Sequence, residues 1–174
     1  MVAKYRQRLT LSGSLVAVAL VLLAGNRLMG RNALAAPPAT FDVTDCDVIV
    51  TPGESLQAAV TAAANGQTLC VRGGVYIEML TVRADQSGLT LIAYPGETPI
   101  IDGDKRLPGG GAGDRFDSLV SILGSDITLD GFVIRHSSSR AMDVNGDNAV
   151  VRNTTVQDNW GGGIVVAGKG DDFV

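Results

Sequence analysis

Residues 126–146, DITLDGFVIRHSSSRAMDVNG, can be written above residues 148–168, NAVVRNTTVQDNWGGGIVVAG, so that Ile127 stands over Ala149, Leu129 over Val151, Ile134 over Val156 and Met142 over Ile164. Val144 then falls over Val166 and Gly146 over Gly168, and the same step of twenty-two residues leads back to Val120, Ile122 and Gly124. Few residues are identical; what repeats is a pattern of burial. A fixed period of this length marks a solenoid, in which no single repeat buries enough apolar surface to stand alone.

Within each repeat, aliphatic residues alternate with polar or small ones, as in Ile127-Thr128-Leu129 and Met142-Asp143-Val144. That alternation predicts short half-buried strands near 127–129, 132–135 and 141–145, with Asp130-Gly131 and Asn145-Gly146-Asp147 as turns between them. Three strands in twenty-two residues leave no room for a helix, so the inward residues must stack on their counterparts in parallel ladders. With this pattern the chain resembles, over residues 46–174, the right-handed parallel β-helix proteins of the pectate lyase-like superfamily. The fold class implied is all-β, three short strands per coil, with an N-terminal capping α-helix. The same fold serves unrelated activities, so the resemblance says less about chemistry.

The first thirty-five residues carry Lys4, Arg6, Arg8, Arg27 and Arg31, no acidic side chain, and an apolar run from Leu15 to Ala24. This is the layout of a signal peptide, with Ala33-Leu34-Ala35 as the cleavage-site pattern and residues 36–45, including Pro37-Pro38, as a linker. The alternative is an uncleaved membrane anchor through residues 9–28, although the run is short for a span. Either arrangement predicts a secreted, cell-surface or periplasmic domain. Without residues 1–35 the chain keeps nine basic against eighteen acidic residues, a formal charge of −9. Nucleic acid is thereby excluded as the expected partner, since phosphate binding needs a basic face. Cys46 and Cys70, the only cysteines, are expected to pair as a disulfide in an oxidising compartment.

Residues 46–67 read as an N-terminal cap. Thr51-Pro52-Gly53-Glu54 matches a capping box with proline at the first helical position, Leu56, Ala59, Val60 and Ala63 share one helical face, and Asn65-Gly66 ends the run. The segment resembles the short amphipathic helix that plugs the open end of the coil in β-helix proteins. Coils then fill residues 68–174, and GVYIEMLTV (residues 74–82) resembles the entry coil of the superfamily. Leu80 and Val82 match Val120 and Ile122 at a separation of forty residues, and Leu89 and Leu91 match Ile127 and Leu129 at thirty-eight. The excess of sixteen over one period assigns DKRLPGGGAGDRFDS, residues 104–118, to an inserted loop, as its glycines and proline suggest. A new strand is expected to start at Asp172-Phe173-Val174, which predicts that further coils follow.

The insertion and the turns at 136–140 and 158–162 each lead into a strand of one stack, so all three are expected along one edge with a groove between them. That edge holds Lys105, Arg106, Asp114, Arg115, Asp117, His136, Arg140, Asp143, Asp158 and Trp160. The resemblance implies polysaccharide as partner and lyase or hydrolase chemistry. A lyase needs a base for the proton alpha to a uronate carboxylate and a cation to hold the charge that develops there. His136, Arg140 and Asp143 are the catalytic candidates; Lys105, Arg106, Asp158 and Trp160 are the candidates for substrate binding, Trp160 by stacking on a sugar ring. Calcium is the candidate cofactor, with Asp102, Asp104, Asp114 and Asp117 as oxygen donors, although their spacing matches no calcium loop. The chain departs from several lyase families in having no lysine on 119–123, 141–145 or 163–167. The rival class is a non-catalytic surface or adhesion module. Metal handling is disfavoured by the scarcity of His, Met and Cys, and a monomer is expected.

Overall fold

A computed structural model describes residues 42–108 and 117–170 in full and residues 172–173 by their backbone. The signal or anchor segment and most of the linker lie outside the described residues, as do Asp114 and Arg115. Among the described residues no helix is long and apolar enough to cross a membrane.

The chain winds through about five turns of an all-parallel β-solenoid with three sheets. The first sheet stacks β1 (Val48–Val50), β2 (Thr68–Val71), β5 (Thr90–Ala93), β8 (Thr128–Asp130), β11 (Val150–Arg152) and β14 (Asp172–Phe173). The second stacks β3 (Gly74–Tyr76), β6 (Pro99–Asp102), β9 (Val133–Arg135) and β12 (Thr155–Gln157). The third stacks β4 (Leu80–Val82), β7 (Ser118–Ile122), β10 (Arg140–Val144) and β13 (Gly162–Val166). Registers follow the repeat: Leu129 pairs with Val151, Ile134 with Val156, and Met142 with both Val120 and Ile164.

Inward rows such as Tyr76, Ile101 and Ile134, or Leu80, Val120 and Met142, form one continuous buried core. Each fully buried aliphatic side chain of this kind contributes roughly 1.5–3 kcal/mol. The repeating glycines have a steric cause. A Cβ on Gly146 would collide with the carbonyl oxygen of Gly124, and one on Gly124 with that of Gln86, so these turns stack too closely for any side chain.

The cap is present but starts later than the sequence suggests. Helix α1 runs Leu56–Ala62 with Ser55 as N-cap, its hydroxyl accepting the Ala58 N–H at 3.0 Å. Thr51 and Glu54 do bond reciprocally, yet they close a separate turn in which Gly53 has φ +97°, a conformation that cannot open a right-handed helix. Leu56 and Val60 are buried in the core, with Ala59 and Ala63 packed against it. Gln57 completes the seal: its side-chain amide accepts the Thr81 N–H at 2.6 Å and donates to the Thr81 carbonyl at 3.2 Å, substituting for a neighbouring strand beside β4. The expected disulfide joins Cys46, just before β1, to Cys70 in β2.

The extra residues of the long coil are divided between two corners. From Asp102 to Ser118 the chain takes sixteen steps where Arg135 to Arg140 takes five, an excess of eleven at the insertion. The other five fall between Ile92 and Ile100, eight steps against three from Asp130 to Val133. Here Tyr94-Pro95-Gly96-Glu97 makes a turn, with Gly96 at φ +75° and the Glu97 N–H donating to the Tyr94 carbonyl at 2.9 Å. The turn is held because the Arg72 guanidinium lies 4.3 Å from the Tyr94 ring centre and pairs with Glu97.

Candidate functional site

Every passage from the second sheet to the third lies on one edge of the solenoid. The four connections are residues 77–79, 103–117, 136–139 and 158–161, of which the second is much the longest. Lys105 and Arg106 stand exposed at the root of the insertion, His136 follows β9, Arg140 opens β10, and Asp158 and Trp160 lie in the next connection up. Asp143 sits further along β10 on the third sheet, partly exposed, stacked between Ser121 and Val165.

The root of the insertion is built around Asp102, the last residue of β6, whose side chain is 8% exposed. Its carboxylate accepts the Asp104 N–H at 2.8 Å and Arg135 Nε at 2.8 Å, and lies 3.1 and 3.2 Å from His136 Nδ1. Burial alone would raise the carboxyl pKa. The Asp104 N–H, the Arg135 guanidinium and His136 outweigh that cost and hold it below the ordinary value. Main-chain bonds reinforce the cluster: the Gly103 N–H donates to the Arg135 carbonyl at 2.9 Å, and the Lys105 N–H to that of His136 at 2.7 Å. A Cβ at Gly103 would stand 2.5 Å from the His136 carbonyl oxygen, so only glycine permits this approach.

His136 and Asp158, twenty-two residues apart, both adopt positive φ, at +55° and +54°. These non-glycine residues are held in an uncommon conformation by what surrounds them. Asn159 is part of that support. Its side chain accepts the Ser137 N–H at 2.9 Å and donates to the carbonyls of Ile134 and Gln157, so two successive connections are tied together. The Ser137 hydroxyl in turn donates to the Arg140 carbonyl at 2.7 Å. The Trp160 side chain is exposed, the residue being 83% accessible, while its main-chain N–H donates to the Ser137 carbonyl at 3.0 Å. A shallow depression lined by Val156, Gln157, Asp158, Asn159, Gly162 and Gly163 brackets it in the chain.

Lys105, Arg106, His136, Arg140, Asp158 and Trp160 therefore share an edge, as their loop positions suggest. His136 is bonded to Asp102, one coil below, a pairing that spacing alone did not reveal. Of the calcium candidates, Asp102 contacts the Asp104 N–H, Arg135 and His136, Asp104 pairs with Arg106, Asp117 stands exposed in the chain just before β7, and Asp114 lies outside the described residues. Among the described residues no group of three or more His, Cys, Asp or Glu side chains is placed to hold a metal ion.

The family profile described as "Pel9A-like, right handed beta helix region" matches residues 40–173. The chain belongs to this family. A stretch of 63 residues is 41% identical to a pectate lyase, PEL9, of Emericella nidulans, covering 33% of this chain and 15% of the fungal protein. The crystal structure of Escherichia coli YbhC superposes with a TM-score of 0.55 at 16% identity, covering 75% of this chain and 47% of that one. That likeness concerns the fold alone. The Pel9A-like chain thus spans less than half the length of either protein.

Proposed function

We propose that this chain is part of an exported protein that binds acidic polysaccharide along the edge between the second and third sheets and cleaves it by elimination. The observation that carries this reading is the convergence of Lys105, Arg106, His136, Arg140 and Trp160 on one edge of a Pel9A-like β-helix. In this reading His136, with Arg140 as the second candidate, removes the proton alpha to a uronate carboxylate. The electron pair left behind forms a carbon–carbon double bond as the glycosidic oxygen departs from the neighbouring carbon and takes up a proton. Lys105, Arg106 and Arg140 supply positive charge to the substrate carboxylates, the role a lyase needs filled as charge develops. Asp143 and Asp158 flank the path, and Trp160 offers a face for a sugar ring. Export is supported by the leader-like N-terminus and by the Cys46–Cys70 disulfide.

Incubating the full-length protein with pectate, alginate and chondroitin, with and without calcium, tests the reading. An unsaturated product detected by its ultraviolet absorbance, and reduced at least tenfold in Arg140→Ala or His136→Ala, is the expected result. No unsaturated product from any of the three ends the lyase reading. Binding on a glycan array without product formation would instead favour a non-catalytic adhesion module.

A further inference from the structure

The geometry points to Asp102 as a positioning residue that holds His136 protonated on Nδ1 and so leaves Nε2, with its lone pair, for a ligand at the edge between the second and third sheets. The catalytic meaning of this arrangement rests on the elimination reading, but the arrangement itself does not. Asp102 sits at the end of β6 and His136 just past β9, thirty-four residues apart in sequence and brought together because Asp102 and Arg135 are register partners. The carboxylate receives Arg135 Nε and the Asp104 N–H on its oxygens, and both are obligate donors. An ionised carboxylate can only accept, so the imidazole nitrogen facing it must donate, and the tautomer follows from the contact.

Three further observations separate this contact from a loose surface pair. Asp102 is buried, so its interaction is only weakly screened, while the His136 side chain is 29% exposed and open to a ligand on its other side. The His136 backbone is held at φ +55° by the Lys105 N–H on its own carbonyl and by the Gly103 N–H on that of Arg135. On the opposite side, Asn159 pins the Ser137 N–H, so the ring is carried on a backbone braced by the coils below and above. A base whose tautomer and direction are set by a buried carboxylate is the arrangement general-base catalysis exploits.

His136 is the only histidine, so its ring nitrogens can be read without assignment ambiguity in the full chain labelled with nitrogen-15. At alkaline pH the wild-type protein is expected to show protonated Nδ1 and unprotonated Nε2. In Asp102→Ala the ring is expected to shift toward a mixture of tautomers, and kcat to fall on the order of a hundredfold with KM little changed. A wild-type ring protonated on Nε2 overturns the proposal, and this holds even if the variant does not fold. So does an Asp102→Ala ring with an unaltered tautomer. The catalytic role of His136 fails separately: a His136→Ala protein at full activity removes His136 as the base while leaving the tautomer result standing.

Discussion

Asp102 was legible in the sequence as one of several aspartates around the insertion, but not as the partner of His136. The pairing spans an insertion that breaks the repeat, and the spacing between the two residues matches no period. Its buried position makes the carboxylate sensitive to acid. Because its folded pKa lies below the ordinary 3.8, the stability it supplies is complete above that value and is lost as pH falls through the lower, folded one. The difference in denaturation midpoint between the wild type and Asp102→Asn should therefore shrink as the pH is lowered below about 4. A difference independent of pH would show that the carboxylate's charge contributes nothing there.

At the scale of elements, the cap was legible through its apolar face, since Leu56 and Val60 recur at helical spacing and are both buried. Its start was not, because two capping patterns lie side by side and the one at Thr51 closes a turn instead. What selects Ser55 comes from another coil. The Glu78 carboxylate, in the connection from β3 to β4, accepts the Ser55 hydroxyl and the N–H groups of Leu56 and Gln57 at 2.7, 2.7 and 3.3 Å. These are helix-start donors with no partner inside the helix, so a carboxylate there acts through both hydrogen bonding and the helix dipole. Glu78→Ala should lower stability by about 1–2 kcal/mol, measured as a shift in denaturant midpoint. An unchanged midpoint would mean that Ser55 alone suffices. The Tyr94–Glu97 corner shows the same lesson: Pro95-Gly96 marks a turn in the sequence, but the Arg72 stack that holds it draws on the coil below.

For the whole molecule, the twenty-two-residue step was readable because inward positions of stacked coils answer to one requirement, apolar fit against the coil on either side. That requirement fixes which connections share an edge, and so the candidate site could be located from loop positions. Its chemistry was less readable, since polar contacts such as Asp102 with His136 or Asn159 with Ser137 depend on side-chain reach rather than on periodic burial. Asp102 and Asp104 illustrate the difference: two residues apart in sequence, they take separate side-chain partners once the coil is wound. The central claim is that the edge between the second and third sheets is where polysaccharide binds. Trp160 is the only tryptophan and is 83% exposed on that edge, which makes its fluorescence a direct reporter. Titration with polygalacturonate should give a saturable change in Trp160 emission that weakens in Lys105→Ala and Arg106→Ala; emission that stays unchanged through the titration would contradict the account.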